Sequence, residues 1–361
     1  MADQTSHGIG GLTYDRKKRG WPNEANVFIA LVAIILIFEL LGQVLPYMNN
    51  QSMLFDFNEA RDGTILNMAR IKIVILQVAI IGIISLGVTQ VIILGGIDLS
   101  SGPLVGAAAM IVMSFAQTEL VNGQLNPKAV FGPWSFDLPV LAPILVGLAF
   151  GAMIGLINGS LIAFTGIPPF IATLGMFLIC RGISQWWTKG QPVSFPSDQF
   201  AAIGSGMMPV VWFILLAIVL SLLMKYTVYG KHTYAIGSNE DAARMSGINV
   251  KGHKMMVYMI ASMLAAFAAI VLSSKNLTAQ AGMGQFYELY AIAMAVIGGV
   301  SLRGGRGSIV GTVLGAMVFG VIQSGFTFIK LDAFYQLMAM GSIIIGAVVL
   351  DQYRQRRATL R

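Results

Sequence analysis

Three histidines, one cysteine and 16 carboxylates are the groups of this 361-residue chain from which covalent or metal chemistry would be built. His7, His232 and His253 fall in a tail or a polar loop, with no nucleophile–base or metal-ligand spacing around them. An enzyme reading therefore has little to stand on, and no metal site is expected. A phosphate loop needs G-x-x-x-x-G-K-[ST], in which glycine N–H groups, a lysine and a hydroxyl hold phosphates and magnesium. The one Gly-Lys pair is Gly230-Lys231, and His232 follows it. Any ATP that drives this protein must bind to another chain, so no cofactor is expected on this one. Cys180 lies in an apolar run and reads as an inert packing residue.

The most informative stretch is Leu94-Gly95-Gly96-Ile97-Asp98-Leu99-Ser100-Ser101-Gly102-Pro103. Gly95 and Gly96 let the backbone leave helical geometry. Ser100 or Ser101 is placed to cap the next helix, and Pro103 suits its first turn. Asp98 stands between two apolar runs, where a charge at the bilayer centre costs about 2.5–3.5 kcal/mol. Two readings stay open for it: a broken-helix site facing a translocation path, or a turn-forming aspartate, which is favoured.

The elements that must position these residues follow from composition. Hydrophobic residues make up 56% of the chain and charged residues 11%, against about 25% charged in soluble domains. So few charges cannot cover a water-facing surface of this size. The 41 glycines fit closely packed transmembrane helices. The net charge of +7 invites a nucleic-acid reading. It fails, because the charges sit in short segments between apolar runs.

Those runs predict an all-α membrane protein of about ten transmembrane helices. They lie near 27–47, 72–95, 102–117, 142–165, 168–187, 208–225, 254–273, 288–302, 308–329 and 333–350. The runs at 102–117 and 288–302 are short for a hydrocarbon core of about 30 Å, as tilted, broken or re-entrant segments would be. The first run is too long for a signal-peptide core and reads as a retained span. With the amino terminus inside, Arg16–Arg19, Lys225, Lys231, Arg244, Lys251, Lys254, Arg303, Arg306, Arg354, Arg356, Arg357 and Arg361 are cytoplasmic. These are fifteen of the 23 basic residues. The outer loops hold Arg61, Arg70, Lys72, Lys128, Lys189, Lys275 and Lys330. The bias supports ten spans with both termini cytoplasmic. The tails are then 1–26 and 351–361, around a transmembrane domain at 27–350.

Gly95-Gly96-Ile97-Asp98-Leu99 is echoed by Gly298-Gly299-Val300-Ser301-Leu302, as an internal duplication would produce. Gly147, Gly151, Gly155 and Gly159 recur every fourth residue and form a flat strip for another helix, which Gly311 and Gly315 begin to repeat.

The chain resembles the ribose/galactose/inositol-type sugar permeases of bacterial ATP-driven importers. The likeness is carried by Gly95–Ser100, Phe170–Gly175 with Arg181-Gly182-Ile183, Ala235–Glu240 with Ala242-Ala243 and Ser246-Gly247-Ile248, and Tyr287–Leu289 with Ala291–Ala293 and Ile297–Leu302. These segments run in order from about residue 70 to 350. Tyr290 departs from the family's usual aspartate, Arg303 and Arg306 make their turn more basic than usual, and the outer loop near 118–141 is longer than in many relatives.

The inner loop Tyr226–His253 has a physical reading of its own. Ser238 with Asp241 three residues on fits a capping box. Ala242, Ala243, Arg244 and Met245 continue a short helix, and Gly247 is placed to end it. The resemblance implies that Gly237, Ser238, Asn239, Glu240, Asp241, Ala242, Ala243, Ser246 and Gly247 form the helix that docks on a cytoplasmic ATPase. The plainer reading is a solvated helix. Translocation-path candidates are the intramembrane polar or aromatic residues Gln77, Gln90, Asp98, Asn158, Phe170, Thr173, Gln323 and Gln336. Amides, hydroxyls and aromatic faces recognise hydroxyl-rich ligands, although any one of these could instead hydrogen-bond a neighbouring helix. Arg181 and Glu288 stand near span ends, where snorkelling is the simpler account.

The expectation is a permease of the bacterial inner membrane that imports a monosaccharide or polyol, inositol-like or hexose first and pentose next. Its partners would be an ATPase subunit, an external binding protein, a second permease copy and membrane lipid. An ion-coupled carrier is the rival; it needs a buried ionisable pair along the path, and only Asp98, Glu39 and Arg181 lie in or beside spans.

Overall fold

The computed structural model describes residues 23–45, 52–55, 66–127 and 129–359. Arg16–Arg19, Arg61, Lys128 and Arg361, used above to place loops, lie outside them. Ten helices overlie the ten apolar runs in order: α1 Asn23–Val44, α2 Met68–Ile93, α3 Ser101–Ala116, α4 Leu141–Ser160, α5 Pro169–Trp186, α7 Met208–Tyr226, α10 Val250–Asn276, α11 Tyr287–Ile297, α12 Ile309–Phe328 and α13 Ala333–Thr359. Three more fill connections: α6 Asp198–Gly204, α8 Val228–Ser238 and α9 Glu240–Met245. Boundaries differ from the runs where polar residues continue a helix. In α10 the Asn249 side chain accepts from Gly252 N at 3.0 Å, so the polar first turn at 250–254 is helical too.

Among the described residues, six helices (α1, α2, α4 with the π-helical turn Leu161–Thr165, α7, α10 and α12) are long and apolar enough to cross a membrane. The two runs flagged as short are indeed short. At 1.5 Å per residue, α3 is about 24 Å long and α11 about 17 Å. Their setting explains why: α3 is buried along almost its whole length, and its surroundings are protein rather than lipid.

A Cβ on Gly147 would strike Val112, and one on Gly151 would meet Ala266. On Gly155 it would reach Met259 Cα at 2.6 Å, and on Gly159 Met255 Cα at 2.6 Å. The strip therefore seats α4 on α10, as its spacing predicts. Gly311 and Gly315 likewise leave no room for a Cβ beside the end of α11.

Two ends of the molecule can be told apart. One carries short strand pairs, Leu120–Val121 with Gln124–Leu125 and Val193–Ser194 with Thr278–Ala279. The other gathers the ends of α2, α7 and α11, the starts of α5, α10 and α12, and all of α8 and α9. Glu24, in the first turn of α1, belongs to this second end, because its carboxylate accepts from Ser308 Oγ at 2.8 Å.

Candidate functional site

The two glycine turns are built alike. At the end of α2, Gly95 N donates to Ile92 O (2.9 Å) and Gly96 N to Val91 O (2.9 Å), with Gly95 at φ 93°. At the end of α11, Gly299 N donates to Val296 O (2.9 Å) and Val300 N to Ala295 O (3.0 Å), with Gly299 at φ 89°. Each is a left-handed helix stop that needs glycine. The echo is therefore real in geometry but shifted by one residue: Gly95 matches Gly299, not Gly298.

The turns touch. Gly305 N, just past the second, donates to Ile93 O at 2.8 Å, and a Cβ on Gly304 would lie 3.0 Å from Gly95 Cα. Onto this junction α8 is clamped. Tyr229 donates its hydroxyl to Gln90 Oε1 (2.7 Å), Tyr234 donates to Gly307 O (2.8 Å), and Thr233 Oγ1 pairs with His253 Nε2 at 2.8 Å. At the end of α8, Gly237 lies against Ile93 O and leaves only 2.7 Å between its own Cβ position and Gly305 N.

The short helix α9 follows. Its cap is Asn239, whose side chain accepts from Ala242 N at 2.9 Å. The expected Ser238 capping box does not form, because Ser238 is the last residue of the preceding helix α8. Gly247 does end the helix, at φ 83°, with Gly247 N to Arg244 O at 3.1 Å and Ile248 N to Ala243 O at 3.2 Å. Glu240 ties α9 to α10 through Lys254 (2.7 Å) and to its own next turn through Arg244 (3.0 Å). The Lys254 hydrogen bond is the main reason its carboxyl sits below the usual range, against a smaller opposing effect of burial. Ala243 is 4% exposed and belongs to a buried apolar cluster with Leu94, Ile236 and Tyr258, so within this chain it lies on the inward side of α9. The outward tip is Met245, 84% exposed, with Asp241, Ala242, Arg244 and Ser246 around it.

Beneath α9 lies the Asp98 turn. Asp98 is fully buried, and its Oδ1 accepts from Ser100 N (2.8 Å) and Ser100 Oγ (2.6 Å). Ser100 Oγ in turn accepts from Asn158 Nδ2 at 3.0 Å. Neither Ser100 nor Ser101 caps α3 with its side chain, contrary to expectation; the Ser100 hydroxyl is donated back to Asp98 Oδ1 instead. Thr173 Oγ1 donates to Ile97 O at 3.2 Å. Among the described residues, six buried side-chain atoms lack a partner: Asp98 Oδ2, Ser101 Oγ, Asn158 Oδ1, Tyr258 Oη, Ser262 Oγ and Glu288 Oε2. A Cβ on Gly96 would strike Tyr258 Oη, and one on Gly102 would strike the Glu288 carboxylate, which places both beside this turn. Arg181 donates from Nη1 to Ala281 O at 3.0 Å, bracing the non-helical segment before α11. That segment lies against Gly102 and Gly106 inside the protein, where irregular backbone is tolerated at membrane depth. A cavity of about 310 Å³ reaches from Gly95, Gly96 and Tyr258 to Glu240 and Lys254, past Pro168 and Pro169.

The path candidates thus separate. Asp98, Asn158 and Thr173 meet at the turn. Gln90 is spent on Tyr229 and on Leu86 O (3.2 Å). Gln77 lies 13 residues up α2 from Gln90, about 20 Å away. Gln336 donates to Leu331 O at 2.7 Å within its own connection, and Gln323, half-buried, sits three residues past Gly320, which faces Val74 and Val78 of α2. Phe170 is 49% exposed on the outer face of α5. Sequence reasoning missed Tyr229, Tyr234, Lys254 and Tyr258. Their partners are remote in sequence, and tyrosines at span ends read simply as interfacial anchors.

The family model described as "Branched-chain amino acid transport system / permease component" matches residues 70–350. A ribose import permease protein of Bacillus subtilis is 37% identical over 332 residues, covering 90% of this chain and 91% of that one. A galactose/methyl galactoside import permease protein of Haemophilus influenzae is 35% identical over 307 residues, covering 82% and 90%. A ribose import permease protein of Escherichia coli K12 is 32% identical over 360 residues, covering 97% and 100%. No solved structure matches.

Proposed function

We propose, from the premise that this chain belongs to the branched-chain amino acid transport system / permease component family, that it is the membrane-spanning subunit of an ATP-driven monosaccharide importer. It is a multi-pass protein of the bacterial inner membrane. The relatives' names mention a pentose and a hexose, which supports ribose or galactose as the cargo. They lend nothing to the inositol-like polyol expected first. ATP binds on a separate cytoplasmic subunit, an external binding protein delivers the sugar, and a second copy of the chain completes the path. The permease makes and breaks no bond of its cargo and holds no cofactor.

The observation that carries this reading is the lever. The inner face of α9 is fixed by Glu240, Ala243 and the helix cap, α8 is clamped on both glycine turns, and the tip projects Met245. A push on the tip has a short, hydrogen-bonded route to the ends of α2 and α11. The Asp98 turn continues directly from the first of these. In this reading the sugar passes the unpartnered oxygens of Asp98, Asn158 and Tyr258, which suit hydroxyl donors. Ten crossings with both ends cytoplasmic fit the ten helices and the position of Glu24 beside the lever end. The test uses the buried native Cys180 as a silent background. Met245→Cys should label from the cytoplasmic side and Gln191→Cys from the outside. Labelling of both from one side would end the topology and the coupling role together.

A further inference from the structure

Where α7 meets the start of α12, two cavities adjoin. One, about 620 Å³, is lined by Lys225, Lys231, Tyr234, Ser308 and Glu24. The other, about 320 Å³, is apolar and runs between Phe213, Ala217, Ile218 and Leu222 of α7 and Val313 of α12. Both include Ser221, Ile309 and Val310, so they form one groove with a charged end and an oily end.

The dimensions match one membrane leaflet. Phe213 to Leu222 spans about 14 Å of helix, close to half of a hydrocarbon core about 30 Å thick. The charged end then stands at headgroup height. Two ammonium groups face one carboxylate there, and the Glu24 carboxylate is already held by Ser308 Oγ at 2.8 Å. Tyr234 gives its own hydrogen to Gly307 O. The donors left to meet an incoming group are Lys225, whose Nζ stands 5.1 Å over the Tyr226 ring, and Lys231. Both lysines are exposed, as are Ile214, Ile218 and Leu222 on the adjoining face of α7. Basic pockets between transmembrane helices at this depth select anionic lipid heads.

We propose that this groove holds one anionic phospholipid, its phosphate between Lys225 and Lys231 and one acyl chain along Phe213–Leu222. Placing it in the cytoplasmic leaflet rests on the orientation proposed above; binding itself does not. The test is native mass spectrometry of the purified full chain after exchange into phosphatidylglycerol or phosphatidylcholine of the same acyl composition. Readout is lipid retained per chain through a delipidating wash. The expected result is one phosphatidylglycerol retained at least tenfold over phosphatidylcholine. Lys225→Gln with Lys231→Gln should remove that preference. Ala217→Phe should fill the oily end and lower retention of either lipid, while lipid-free thermal unfolding stays as in the parent chain. Lys275→Gln, at the opposite end, should change nothing. Equal retention of both lipids, or a preference that survives both groove variants, would overturn the proposal. So would displacement of the lipid by millimolar glycerol 3-phosphate, which would mark a soluble-phosphate site instead.

Discussion

Gly237→Ala is the sharpest perturbation of the lever. Its added Cβ would collide with the Ile93 carbonyl oxygen and stand 2.7 Å from Gly305 N. Those two atoms are partners of one another, in the 2.8 Å hydrogen bond that joins the α2 end to the second glycine loop. Both contacts are backbone, so no side chain can swing aside. Either α8 retreats or the bond breaks. Overpacking at such a site costs about 1–3 kcal/mol, and a buried donor or acceptor left without its partner costs about as much again. A net 3 kcal/mol shifts the seated lever toward an unseated one by a factor of roughly 150. The tip at Met245 is untouched. ATPase should therefore still co-purify with the variant while ATP-driven uptake falls at least tenfold. Uptake within twofold of the parent, in protein that folds normally, would refute the transmission route through this junction.

Further expectations follow from the same geometry. Met245→Glu, at a position 84% exposed, should leave thermal stability unchanged and weaken ATPase pull-down at least tenfold, since burying a methionine contributes about 1.5–3 kcal/mol. Asp98→Ala should lower stability by about 1–3 kcal/mol in thermal melts by stranding Ser100 N and Oγ, whereas Asp98→Asn, which keeps an Oδ1 acceptor, should cost distinctly less. Gly155→Ala should destabilise by about 1–3 kcal/mol, read as a lowered Tm, because its Cβ would strike the backbone of α10 at Tyr258 and Met259. The Glu240 carboxyl is held below its usual range. Its contribution is thus complete above the ordinary value of about 4.5 and is lost as pH falls through the lowered one. The stability gap between the parent and Glu240→Gln should be flat from pH 8 to 5 and shrink below about 4; a gap constant to pH 3 would count against the Lys254 tie.

Much of the fold was legible because periodic features report local geometry. The four-residue glycine spacing from Gly147 to Gly159 has one physical use, and the structure puts α10 on it. Gly247 announced a helix end, and it adopts the positive φ that such an end needs. What the sequence could not carry was contact between distant segments. Glu240 meets Lys254 across a turn and a second helix, and Tyr229 finds Gln90 across 139 positions. Ala243 looked like a small docking residue, and only the structure shows that it is buried in one apolar cluster with Leu94 and Tyr258. The cap moved from Ser238 to Asn239 because Ser and Asn are near-equal caps, and only the length of α8 decides between them. The glycine echo was misaligned by one, since both Gly298 and Gly299 suit a break and only the hydrogen bonds show which one turns.

The central claim is tested most directly in proteoliposomes holding this chain, its ATPase partner and the binding protein, assayed for uptake of ribose and galactose. The account predicts accumulation of one of these sugars that requires ATP and the ATPase subunit, and no ATP hydrolysis by this chain alone. Accumulation driven by a proton gradient in vesicles containing only this chain would contradict it.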